Sequence, residues 1–115
     1  MKATIYHNPR CSKSRATLAL LEDIGADIEI IEYLKTPPTA DEIRTILTRL
    51  GLAAADVVRT GEAPFKDSGL ALDSDEDDLI ELIAREPIVL QRPIVVVGTK
   101  ARIGRPPEQV LELFG

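Results

Sequence analysis

The chain has 115 residues, 44% hydrophobic and 29% charged, with a formal net charge of −5. That length suits one domain with a modest core of Leu, Ile, Val and Ala, because Trp is absent and Phe and Tyr are few. The acidic balance argues against nonspecific nucleic-acid binding, no apolar run reaches the roughly twenty residues of a membrane span, and a single cysteine excludes an internal disulfide.

In chain order, Lys2 to Tyr6 reads as a short strand and Ala16 to Ile24 as a helix-periodic stretch. Between them stands His7-Asn8-Pro9-Arg10-Cys11-Ser12-Lys13-Ser14-Arg15. Strand, turn and helix entry are what a reactive cysteine needs. Unpaired amides and the positive end of the helix dipole stabilise a thiolate at Cys11, and the same amides can cradle an oxyanion. Ser12 and Ser14 add hydroxyls, Arg10, Lys13 and Arg15 add positive charge, and His7 is placed to face the sulfur across the turn. A lone cysteine is commonly just a small buried hydrophobe, but a core cysteine has no need of so many polar and basic neighbours.

The helix is expected to bury Leu18, Leu21 and Ile24, helped by Leu20, and to stop at Gly25. Asp27 to Tyr33 reads as a second strand, parallel to the first by the crossover rule. Pro37-Pro38 marks a boundary. Thr39 with Glu42 forms a capping box ahead of Ile43, Ile46, Leu47 and Leu50, and Gly51 ends that helix. Leu52 to Val58 reads as a shorter helix and Thr60 to Pro64 as a loop. Ser74 with Asp77 resembles another box, leading to Leu79, Ile80, Leu82 and Ile83 and a stop before Pro87. The acidic run Asp73 to Asp78 is then dipole stabilisation at a helix start, not a metal site.

Ile94 to Val97 is the strongest strand signal, β-branched and continuous. Gly98-Thr99-Lys100 turns the chain into a hairpin with Ala101 to Ile103, and Pro106 starts a last helix with Val110, Leu111 and Phe114 inward. The outline is α/β: βαβ, a helical insertion at about 37–87, then ββα.

Arg59, Arg92 and Arg105 each sit at a junction between elements, two of them directly before a proline. Arginine offers a rigid fork of donors suited to a tetraoxyanion. Taken singly each reads as a structural arginine, and converging on Cys11 they would form an anion pocket. Arg44, Arg49 and Arg85 lie in or beside helix-periodic segments. His7 also fits a satisfied strand-end histidine, and Asn8 and Pro9 fit a turn-shaping pair. One Cys and one His cannot close a zinc site, so no metal is expected.

His7-Asn8-Pro9 with Cys11, Arg92-Pro93-Ile94-Val95, and Arg105-Pro106 with Glu108 resemble signature stretches of the glutaredoxin-coupled arsenate reductase family, over essentially the whole chain. The resemblance implies one thioredoxin-like domain, 1–115, with a four-stranded mixed sheet and a cis Arg92–Pro93 bond. It implies Cys11 as nucleophile, His7 and Ser14 as residues lowering its pKa, and Arg59, Arg92 and Arg105 as oxyanion ligands, with Asn8, Pro9 and Pro93 shaping the site. It also implies arsenate or a similar oxyanion as substrate, glutathione as thiol co-substrate, glutaredoxin as partner, no bound cofactor, and a monomer. With neither a membrane span nor a signal-peptide pattern, the expected location is cytoplasmic. The stretches Cys11 to Arg15 and Ala101 to Val110 resemble a less characterised, arsenate-reductase-like branch. The alternatives are a reductase of another oxyanion or of a mixed disulfide, a non-catalytic thioredoxin-like adaptor, and a thiol-based transcription regulator. Such regulators usually carry Cys-x-x-Cys, where Ser14 holds the second position here.

Overall fold

Ala3 and Ile5, both fully buried, alternate with half-buried Thr4 and Tyr6, and this period of two makes Lys2–Tyr6 strand β1. The computed structural model describes residues 2–115. These divide into two compact units: one runs to Thr36 and resumes as Arg92–Gly115, the other is Pro37–Gln91.

In the first unit β1 is followed by helix α1 (Ser12–Asp23), β2 (Asp27–Ile31), β3 (Ile94–Val97), β4 (Lys100–Ile103) and a 3₁₀ helix, Pro107–Phe114. The strands form one sheet in the order β2-β1-β3-β4. β1 pairs parallel with β2, with Ile5 opposite Ile30, and antiparallel with β3, with Ile5 opposite Val95. β4 is antiparallel to β3. A parallel pair needs a crossover, and α1 supplies it. Ala3, Ile5, Leu21, Val95 and Val110 form a fully buried cluster, with Leu18, Ile28, Leu113 and Phe114 against it. This is a thioredoxin-like mixed sheet with flanking helices.

The elements differ from the sequence reading in instructive ways. α1 ends in a Schellman motif: Gly25 takes φ +73°, its N–H donates to the Glu22 carbonyl, and Ala26 N–H donates to that of Leu21. Ile24, the capping residue, is therefore outside the helix and 47% exposed. Leu21 is buried and Leu18 packs against the core as expected, and Ser14 and Thr17 complete the inward face, polar at the end nearest Cys11. β2 stops at Ile31, short of the fully buried Tyr33. The last segment is a 3₁₀ helix starting at Pro107, with Pro106 extended before it. Three residues per turn align Pro107, Val110 and Leu113, so Leu113 rather than Leu111 packs inward.

In the second unit, α2 (Ala40–Leu50) carries the expected capping box: Glu42 N–H donates to Thr39 Oγ1 at 3.1 Å, and Thr39 N–H to Glu42 Oε1 at 3.2 Å. It buries Ile43, Ile46 and Leu47 and ends at Gly51, φ +71°. The expected second helix shrinks to a 3₁₀ turn, Ala54–Asp56. The expected loop gives way at Ala63 to α3 (Ala63–Ser68), whose first turn contains Pro64 and whose Phe65 is buried. α4 (Glu76–Arg85) is capped by Asp75, not Ser74, whose Oγ accepts instead from Ala71 N–H. Leu79, Ile80, Leu82 and Ile83 are all buried. Within the acidic first turn, Asp77 pairs with Arg44 at 3.3 Å and Glu76 accepts from Ala54 N–H at 2.7 Å. Among the described residues no helix is long and apolar enough to cross a membrane.

Candidate active site

The turn after β1 is held by backbone bonds and by side-chain bonds to its backbone. His7 N–H extends the β1–β2 ladder to the Ile31 carbonyl at 2.8 Å. Asn8 Oδ1 accepts from Arg10 N–H at 3.0 Å, the local bond that makes asparagine a turn former. Cys11 N–H donates to the Asn8 carbonyl, and extended Cys11 (φ −92°, ψ 123°) becomes the N-cap of α1. Arg15 Nη1 holds the Pro9 carbonyl at 3.0 Å. Beneath the turn, fully buried Ser14 lies 2.6 Å from His7 Nδ1 through its Oγ, which also accepts from Asn8 N–H at 3.1 Å. His7 and Asn8 are themselves buried.

The opposite wall comes from the chain on either side of β3 and β4. Arg92–Pro93 and Arg105–Pro106 are both cis, the first as the resemblance implied and the second unforeseen. Gly104 N–H donates to the Pro93 carbonyl at 2.9 Å, fixing the two proline turns side by side. A Cβ on Gly104 would collide with the Thr17 hydroxyl and lie 2.8 Å from Pro93 Cγ, so only glycine fits between α1 and this wall. Arg105 is held by Nε on the Arg92 carbonyl at 2.8 Å, which leaves Nη2 3.6 Å from Cys11 Sγ.

These contacts set the protonation of the site. Burial pushes the Cys11 thiol up, but the backbone amides of Ser14 and Lys13, the Arg105 charge and the Arg92 side chain bring it below its ordinary 9.0. Burial lowers His7 below its ordinary 6.5; Glu32 partly opposes this and Arg15 adds to it. His7 is therefore neutral at pH 7, and its contact is the Ser14 hydroxyl. It is not among the groups that lower the Cys11 thiol.

The structure thus brings Cys11, Arg92 and Arg105 together, with His7, Ser14, Asn8, Pro9 and Pro93 around them in the same unit. Arg59 belongs to the other unit, where its N–H donates to the Val89 carbonyl at 2.6 Å and its Nε lies 3.5 Å from Glu62. Arg10, Lys13 and Arg15, expected to supply the local positive charge, are exposed. None of their side-chain charges is among the causes that lower the thiol; Lys13 contributes its amide. Sequence reasoning missed Gly104 and Thr17, and the available signal was a glycine directly before an Arg-Pro pair. No group of three or more potential ligands for a metal ion occurs among the described residues.

Residues 6–113 match the ArsC family. Over 113 residues the chain is 50% identical to the uncharacterised Escherichia coli protein YfgD, covering 96% of this chain and 95% of that one. It is 46% identical over 108 residues to an arsenate reductase of Neisseria meningitidis, covering 92% of each. A solved structure, the arsenate reductase from Vibrio cholerae, superposes with a TM-score of 0.94 at 44% identity over 98% of both chains.

Proposed function

The chain belongs to the ArsC family, and on that premise we propose that it is a single-cysteine arsenate reductase that uses glutathione and glutaredoxin. The observation that carries the reading is the meeting of a thiol at the N-cap of α1 with an arginine held 3.6 Å from its sulfur. A depressed thiol beside fixed cationic donors is suited to attack an anion that would otherwise repel it.

The steps follow from electron bookkeeping on one cysteine. Cys11 thiolate forms a bond to arsenic of dihydrogen arsenate, and one oxygen leaves as water with both protons. The arginines hold the remaining oxygens as charge gathers on them. A glutathione thiolate then attacks Cys11 Sγ. The S–S bond forms, the S–As bond breaks, and its electron pair stays on arsenic, which leaves as arsenite. Glutaredoxin with a second glutathione reduces the mixed disulfide, since the chain has no second cysteine of its own. Arg92 and Arg105 serve as oxyanion ligands. His7 and Ser14 hold the turn that aims the α1 amides at the sulfur, and Asn8, Pro9 and Pro93 shape its two walls. The protein acts as a monomer in a reducing compartment.

A coupled arsenate-reduction assay with glutathione and glutaredoxin tests this, with Cys11→Ser alongside. Turnover by the wild type alone is expected, together with a Cys11–glutathione adduct visible by intact mass when glutaredoxin is omitted. Arsenate binding without turnover, or equal turnover by Cys11→Ser, would overturn it.

A further inference from the structure

The turn that delivers Cys11 also lines a cavity of about 220 Å³, formed by His7, Asn8, Pro9 and Arg10 together with Glu32, Leu34 and Lys35 from the segment after β2. It adjoins the thiolate's surroundings, sharing His7, Asn8 and Pro9 with them, while its charged groups Arg10, Glu32 and Lys35 are its own. Pockets that enclose a whole drug-sized ligand run to roughly 300–1,000 Å³. This one suits one end of a small molecule, and Arg10 in its wall is the residue directly before Cys11 in the chain.

Its charges are specific. Arg10 is exposed and has no ion pair among the described residues. Lys35 and Glu32 form only a loose pair, 3.5 Å apart with both side chains well exposed, which a ligand can readily replace. Two cations and one carboxylate around an apolar floor, where Leu34 is 39% exposed, match a group carrying an α-carboxylate beside an α-ammonium. A resolving thiol must present its sulfur at Cys11 while the rest of it is held elsewhere. We propose that this cavity is the docking site for the zwitterionic γ-glutamyl end of glutathione, with the carboxylate between Arg10 and Lys35 and the ammonium on Glu32. The assignment rests on glutathione being the thiol that resolves Cys11.

The test uses no arsenate, so the two readings can fail separately. Cys11 is converted to its mixed disulfide with 2-nitro-5-thiobenzoate, and the coloured thiolate released by attack on Cys11 Sγ is followed at fixed pH. The probes are glutathione, γ-glutamylcysteine, which keeps the proposed docking end, and cysteinylglycine, which lacks it. Rates are corrected for each thiol's ionised fraction. We expect γ-glutamylcysteine to match glutathione within about twofold and cysteinylglycine to be at least tenfold slower. Lys35→Glu should remove most of that advantage while leaving the cysteinylglycine rate unchanged. Lys100→Glu, an exposed strand-β4 lysine outside the cavity, makes the same change in net charge and should preserve the preference. Equal rates for the two dipeptides, faster attack by cysteinylglycine, or equal losses in Lys35→Glu and Lys100→Glu would each overturn the proposal. A preserved thiol preference with no arsenate turnover would instead overturn the arsenate reading alone.

Discussion

Ser14 offers the most direct test of how the reactive turn is held. Its Oγ lies 2.6 Å from His7 Nδ1 and accepts from Asn8 N–H at 3.1 Å, with Ser14 itself fully buried. Ser14→Ala removes both partners at once and leaves two buried groups without a substitute. A buried group left unsatisfied costs about 1–3 kcal/mol. The two losses share one hydroxyl and do not add fully, so about 2–4 kcal/mol is expected. For a chain of this length each kcal/mol corresponds to about 4 °C in Tm, which gives a fall of about 8–16 °C. Loosening the turn also misaligns the Ser14 and Lys13 amides that favour the thiolate, so the midpoint of Cys11 alkylation against pH should move upward. Thermal melts and iodoacetamide kinetics read the two effects on the same samples. Ser12→Ala is the control: Ser12 is exposed at the start of the same helix, and its loss should stay within about 0.5 kcal/mol. A Ser14→Ala protein that melts within a few degrees of wild type and alkylates identically would refute the reasoning. The hydroxyl would then be incidental to the turn.

Other outcomes follow from the same geometry. Arg105→Ala should lower kcat/KM for arsenate about ten- to two-hundred-fold, the equivalent of one charge-assisted hydrogen bond of about 1.5–3 kcal/mol. Arg105→Lys should recover only part, because an ammonium cannot hold the Arg92 carbonyl and reach the sulfur in one fixed fork; an equal loss in Arg85→Ala would show that charge alone was being read. Cys11 should alkylate with a midpoint below 9.0. Because its thiolate is favoured in the folded state, wild type should gain stability over Cys11→Ser as pH rises from that midpoint toward 9.0, and lose the gain as pH falls back through it. Buried, neutral His7 titrates below 6.5 when folded, so the unfolded chain binds more protons and stability should fall as pH drops below 6.5. His7→Gln should flatten that fall in pH-dependent melts. Gly104→Ala should push Pro93 and Thr17 apart and slow arsenate turnover more than it alters Tm, whereas an unchanged kcat/KM would mean the arginine wall is not positioned by this contact.

Much of the molecule was legible in the sequence because the physics involved is local. A capping box needs only Thr39 and Glu42 three residues apart, a left-handed stop needs only Gly25 or Gly51, and a cysteine at a helix entry needs only its place where a strand runs into a helix. β-branched Ile94–Val97 had to be a buried strand for similar reasons. The errors also have local causes. A period of 3.6 puts Leu111 inward where the chain adopts 3.0, and Pro64 signals a turn and a helix start equally well, which hides the helix at Ala63. What the sequence alone could not settle was non-local. Ser14 occupies the buried face of α1 because His7 and Asn8 meet its hydroxyl, and that depends on how the turn folds back. The sulfur and the guanidinium that faces it stand 94 residues apart in the chain. No periodicity reports such a meeting. It arises because β1 and β3 are hydrogen-bonded neighbours in the centre of the sheet and β4 pairs back on β3, with Tyr6 opposite Ile94 and Ile94 opposite Ile103, so the residues before β3 and after β4 are carried to the strand end where Cys11 waits.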